Sequence, residues 1–396
     1  MRALLLITGL LLLIAVEILR VYFIMPFPGS QQGDTINIAY WLHKNINWLR
    51  LLGGLLILYP MIHIFRHSRV WKKIVLVAGL LLYAAVVYLF NFRFLADKMF
   101  LPPNRQDYAA ADNNRIPAEK LVIGVVINNE AKAYPIQLIG YHHQVRDTVG
   151  HTPVMVTYCT VCRTGRVFSP VINGREEQFR LVGMDHFNAM FEDAGTKSWW
   201  RQATGEAIAG PLKGKHLREL PSHQLSLRAW LRLYPNSLVL QADTTFNEQY
   251  AQLHLFDKGT INSGLEKRDP ASWRFKSWVI GIRHRQHAKA YDWNELTSKQ
   301  LIQDSIPDLP LLIVLDGDTA SFRVWDRRVN GAPLQFVKGH GMDVFTDLNT
   351  QSTWDVSGRC IAGPLRSQIL KPVQAYQEFW HSWRTFHPNT LHQELQ

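Results

Sequence analysis

Internal repetition constrains this fold more than any other feature of the sequence. Val122-Ile123-Gly124 recurs as Val279-Ile280-Gly281, and Ala131-Lys132-Ala133-Tyr134 recurs as Ala288-Lys289-Ala290-Tyr291, both at an offset of 157 residues. The offset holds through Asn173-Gly174 and Asn330-Gly331. It shortens by a few residues for Ile208-Ala209-Gly210-Pro211-Leu212 against Ile361-Ala362-Gly363-Pro364-Leu365, and for Trp230 with Pro235-Asn236 against Trp383 with Pro388-Asn389. So many matches in one order predict two copies of one unit. Residues 120–240 form the first copy and 273–396 the second. Polar, turn-rich linkers lie at 99–119 and 241–272, behind a membrane region at 1–98.

Each copy reads as a β-rich α+β unit. It opens with two short strands around a turn (Leu121–Ile127, Asn128-Asn129, Ala131–Tyr134) and closes with an amphipathic helix, Ser226–Leu233, stopped by Pro235. The alternating strand–helix rhythm of a doubly wound parallel sheet is missing. The predicted fold class is therefore α+β, with three transmembrane helices ahead of a tandem duplication.

The membrane region follows from hydropathy. Ala3–Met25, Leu49–Phe65 and Ile74–Phe94 are apolar runs near the ~17–25 residues needed to cross a bilayer core. Glu17 and Arg20 are spaced to pair on one helix face. Arg66, Arg69, Lys72 and Lys73 crowd the connection between the second and third runs, whereas Phe27–Trp48 holds only Lys44. The positive-inside rule puts the basic loop in the cytoplasm of a bacterial inner membrane, and everything after about Arg93 on the extracytoplasmic side. The net charge of +11 is scattered, with no nucleic-acid module, so the lipid bilayer is the expected partner and nucleic acid is not.

Chemistry concentrates in Cys159-Thr160-Val161-Cys162. The pair is held between a strand at Val154–Tyr158 and a second at Arg166–Val171, which leads into the hairpin turn Ile172-Asn173-Gly174-Arg175. At the repeat offset Cys159 falls on Asp316, Cys162 on Thr319 and His142 on Lys299, so the first copy carries the site and the second is degenerate, a scaffold or a lid.

Three readings stay open. In the first, Cys159 and Cys162 are a catalytic thiol–disulfide pair assisted by His142, with Arg163 and Arg166 supplying positive charge and a redox protein as partner. A strand follows the motif, so activation by a helix terminus is absent. In the second, Cys159, Cys162 and His142 ligate a metal ion, with Met190 (or His143, His186 or Met184) completing a tetrahedral set. Two thiolates and an imidazole suit zinc; a thioether added to them favours copper. In the third, the pair is a structural disulfide in a non-enzymatic interaction module. Asp147 and Asp193 are candidates to orient His142, and Cys360 reads as a buried small residue. No phosphate loop or Ser-His-Asp signature stands out.

The first copy also resembles an uncharacterised bacterial family, domain of unknown function 3179, over about Ile116–Leu240. The resemblance rests on Ala133-Tyr134-Pro135, His142, Asp147, Pro153 through Cys162, Phe168, Asp193 with Ser198-Trp199, and Thr204-Gly205-Glu206-Ala207-Ile208-Ala209-Gly210. The family pattern has Cys-Pro-Leu-Cys-Gly where this chain has Cys159-Thr160-Val161-Cys162-Arg163, and His-Glu where it has His142-His143. Some relatives carry selenocysteine at a motif position, and the resemblance therefore implies redox chemistry at Cys159 or Cys162.

Overall fold

The computed structural model describes residues 1–339 and 343–392. The chain divides into two compact units, one of Met1–Leu101, Glu177–Arg201 and Glu206–His216, the other of Pro102–Glu176, Gln202–Gly205 and Leu217–Gln396.

In the first unit, α1 (Arg2–Tyr22), α2 (Ile36–His67) and α3 (Val70–Tyr88) are each long and apolar enough to cross a membrane, α3 continuing into a π-turn at Leu89–Arg93. At 32 residues α2 is about 48 Å long at ~1.5 Å per residue. Hydropathy alone begins the second run at Leu49. The helix starts at Ile36 because nothing in the polar stretch before Leu49 breaks it, and this stretch has its own packing surface. There Tyr40 and His43 set their rings edge-on to Trp199 at 5.0 and 5.5 Å. Glu17 does approach Arg20, at 3.6 Å, but its main partner is Arg50 of α2, which grips both carboxylate oxygens at 2.6 and 2.9 Å. Asn91 completes that polar cluster. A four-stranded antiparallel sheet, in the order Ala207–Ala209, Trp199–Arg201, Asn188–Asp193, Phe179–Asp185, finishes the unit. It is laced to the loop after α1 by the Met184 amide, which donates to the Ile24 carbonyl.

The second unit is strand-rich and mixed α+β. One sheet places His223–Ser226, Leu121–Ile127, Glu130–Pro135 and Leu238–Leu240 side by side, the last joined parallel, with Tyr108–Ala109 on its edge. A second sheet places Ala375–Phe379, Trp278–His284, His287–Asp292 and Leu391–His392 in the same order, again with the last pair parallel. Each strand pair leads into a seven-residue helix (Ile136–His142, Trp293–Lys299) and then an antiparallel meander (Gln144–Val149, Thr152–Cys159, Thr164–Phe168; Leu301–Ile306, Leu309–Leu315, Phe322–Asp326).

The same close packing recurs as well. A Cβ on Gly124 would lie 2.2 Å from the Trp230 ring, and one on Gly281 would lie 2.1 Å from Trp383, so glycine is required at both. Asp193 accepts from Thr196, the Ser198 amide and the Trp200 indole; Asp347 does the same for Thr350 and Trp354. Asp193 therefore builds a turn. The stretch read as a linker folds into a helix, Asn247–Gln252, and buries Phe246, Tyr250 and Phe256.

Candidate functional site

The Thr152–Cys159 strand ends on the first cysteine, and the next strand begins at Thr164, paired across the turn with Cys159. The turn closes through the Arg163 amide on the Thr160 carbonyl at 3.2 Å. Arg163 takes φ +54°, the left-handed region that disfavours side chains, which accounts physically for the glycine of the family pattern at this position. Here the cost is offset by its side chain, which is 1% exposed. The guanidinium lies 3.9 Å from the Trp278 ring centre and 5.1 Å from that of Phe256, and donates to Gln377 and to the Phe256 and Asp257 carbonyls.

Cys159 and Cys162 stand 4.1 Å apart as thiols, beyond the ~2.05 Å of a disulfide bond, and both are wholly buried. Burial pushes the Cys162 thiol well above its ordinary range, and its hydrogen bond with Cys159 pushes the same way; Lys276 and Ser382 oppose them. The turn is enclosed by the corner where the Ala375–Phe379 strand meets the Trp380–Phe386 helix. There the Phe379 amide donates to the Cys162 carbonyl at 3.0 Å, and Thr164 donates to Glu378 at 3.1 Å. Glu378 also holds Arg166 at 2.5 Å, with both groups buried. Lys276 donates to the Val161 carbonyl at 2.6 Å and meets His381 Nε2 at 3.2 Å. Burial pulls Lys276 down to about 8, against the opposing pull of the two cysteines. Burial, with the Lys276 charge adding to it, takes His381 to about 3. The charge of Lys276 acts on both thiols and, on Cys162, favours the thiolate against burial.

His142 lies in the same unit, at the end of the Ile136–His142 helix. Its Nε2 meets the Tyr250 hydroxyl at 2.6 Å, and its ring packs edge-on to Phe246. His143 ends the Ile136–His142 helix in a left-handed conformation, its Nδ1 on the Tyr141 carbonyl, and burial pulls it down to about 4. Asp147 accepts from Tyr108, Tyr134 and Lys132. Met184, His186 and Met190 belong to the other unit, Met190 fully buried opposite Gly183 and Arg201, and His186 paired with Asp185 at 2.7 Å. Among the described residues, no three His, Cys, Asp or Glu side chains are gathered as metal ligands. Cys360 is buried in an apolar cluster with its sulfur on the Ala362 carbonyl.

Sequence reasoning missed Lys276, Glu378, His381 and Ser382. A signal for two of them was present. At the shortened offset that aligns Trp230 with Trp383, Glu378 and Ser382 fall on Leu225 and Ala229, two polar residues at positions the first copy keeps apolar.

No curated protein and no solved structure matches the chain. The profile of the family described as "Protein of unknown function (DUF3179)" matches residues 103–390, reaching well beyond the stretch that carries the resemblance by eye, and the chain belongs to that family.

Proposed function

We propose that this protein is a membrane-anchored thiol–disulfide redox protein, its strand-rich region a duplicated unit on the extracytoplasmic side of a bacterial inner membrane. The observation that carries the chemistry is the pairing of two cysteines 4.1 Å apart with Lys276, a buried amine pulled down to about 8. In the exchange, the dithiol meets a disulfide of a partner protein. One new sulfur–sulfur bond forms between Cys159 and Cys162, the partner's bond breaks, and its two sulfurs leave as thiols carrying the two protons. The Lys276 charge favours the thiolate that opens the exchange. Both sulfurs are buried, so the Thr160–Arg163 turn must open for a partner to reach them.

The sidedness rests on the four cations Arg66, Arg69, Lys72 and Lys73 at and around the joint of α2 and α3, and the duplication rests on the recurring strand orders and Gly–Trp contacts. Burial also favours a second reading, a structural disulfide that forms once and persists.

A redox titration of the full-length protein in detergent separates the two, with alkylated thiols counted by mass spectrometry. We expect Cys159 and Cys162 to oxidise together, with a potential above about −300 mV, and Lys276→Met to move the pH at which alkylation begins upward. A potential below that value establishes the structural disulfide instead. Near-stoichiometric copper or zinc, lost in Cys159→Ser, would overturn both readings.

A further inference from the structure

The second unit carries a half-open cavity of about 620 Å³ that the thiol chemistry does not use. Its volume is in the range of small-molecule sites, ~300–1,000 Å³. Two guanidiniums, those of Arg163 and Arg268, lie against the single Trp278 indole on its wall, at 3.9 and 4.3 Å from the ring centre. The acceptors they reach are neutral: Gln377 and two main-chain carbonyls for Arg163, Asn294 for Arg268. Two like charges held together in a partly dry site, with amides as acceptors, are a costly arrangement that an anion would relieve.

Unpartnered polar atoms give a second, independent sign. Trp278 is 6% exposed, yet its Nε1 has no hydrogen-bond partner; Arg268 Nε and Asp257 Oδ1 are likewise buried and unsatisfied, and all three residues line the cavity. Buried polar atoms are almost always paired, so three orphans on one cavity wall point to a ligand. Lys120, Arg228 and Lys258 add positive charge to the wall. Of the opposing acids on the wall, Asp318 is taken up by Ser226 and Ser321 and the second oxygen of Asp257 by the Leu121 amide; Glu119 adds one negative charge to the lining, and Asp292 acts on Arg268 from beside it.

We infer that this cavity binds a small organic oxyanion. Its carboxylate or phosphate sits in the field of Arg163 and Arg268 and, as the wall side chains shift to admit it, accepts from Arg268 Nε and Trp278 Nε1, while a hydroxyl or amine on the same molecule donates to Asp257 Oδ1. The inference stands whether or not the thiols exchange. It is tested by calorimetric titration of the full-length protein in detergent and a zwitterionic buffer at low salt, with 4-hydroxybenzoate, ribose 5-phosphate and inorganic phosphate as probes. Saturable binding of an organic probe is expected. The carboxylate and the sugar phosphate distinguish the two head groups, and inorganic phosphate reports the head alone. Arg268→Gln is expected to weaken binding about tenfold or more, and Trp278→Phe, which keeps a ring but removes the donor, about threefold to tenfold. Trp278→Phe keeps the test decisive if Arg268→Gln does not fold. Failure of both organic probes to saturate by about 10 mM, a Kd range of only ~3 kcal/mol or weaker, would overturn the inference, as would binding that ignores both substitutions.

Discussion

The turns Cys159–Thr164 and Asp316–Ser321 follow corresponding strands of the second unit, yet they balance a buried arginine in different ways. On the second turn Asp316, which lies 157 residues after Cys159, accepts from Arg323 at 3.0 and 3.2 Å. The counter-charge is local. On the first turn a thiol replaces the acid, and Arg166 takes its nearer carboxylate from Glu378, more than two hundred residues away, with Glu219 farther off at 3.6 Å, while resting 3.4 Å from the Tyr376 ring centre. The contrast teaches that a dithiol in this position exports the charge-balancing acid to the neighbouring strand–helix corner. That makes the C-terminal half part of the cysteine environment.

The largest effect should come from breaking that exported pair. Arg166→Met strands the buried Glu378 carboxylate without its cation and is expected to cost about 3–5 kcal/mol in urea unfolding of the detergent-solubilised chain; Glu378→Gln should cost less, because Arg166 keeps Glu219 at 3.6 Å. Arg323→Met should cost clearly less, because Asp316 keeps Arg232 at 3.3 Å. Equal losses would break the comparison.

Next come the positions where the halves agree. Gly124→Ala and Gly281→Ala each drive a methyl group into a tryptophan ring, and each should lose about 1–3 kcal/mol by a similar amount. A melting temperature that falls for one and not the other would show that the two strand–helix packings are not equivalent.

The smallest effect is a slope with pH. His143 and His381 are buried and held down at about 4 and about 3, below the ordinary 6.5. As pH falls below 6.5 the unfolded chain takes up protons that the folded chain refuses, so stability declines from neutral pH toward pH 4 and levels off near pH 3. Between pH 7 and pH 5 the loss is about 2 kcal/mol per histidine at most. His381→Gln should flatten the stability–pH curve over that window, and an unchanged slope would remove His381 from the comparison.

Much of this was legible before any coordinates. Leu121–Ile127, Glu130–Pro135 and the helix capped by Ser226 lie within a residue or so of where period, turn residues and Pro235 put them. Local chemistry decides such elements. Asn173 and Gly174 at φ 51° and 78° make the tight turn that their identities announce. The start of α2 was less legible, because its polar first turns are helical by packing on Trp199 rather than by hydropathy. The same limit holds for what His142 touches: its contact with Tyr250, 108 residues on, is not written in its surroundings along the chain.

By itself the sequence determined the three apolar helices, the β-rich α+β character, and the cysteine pair at a strand-bounded turn. These depend on periodicity, residue type and short-range geometry, all of which are written along the chain. Only the tertiary structure decided the cysteines' neighbours: Glu378, Lys276, His381 and Ser382 arrive from the other half, and Arg163 is buried against Trp278. The physical reason is that burial makes charge balance and hydrogen-bond satisfaction obligatory without regard to sequence distance, so the partners are whichever groups the packing brings within reach.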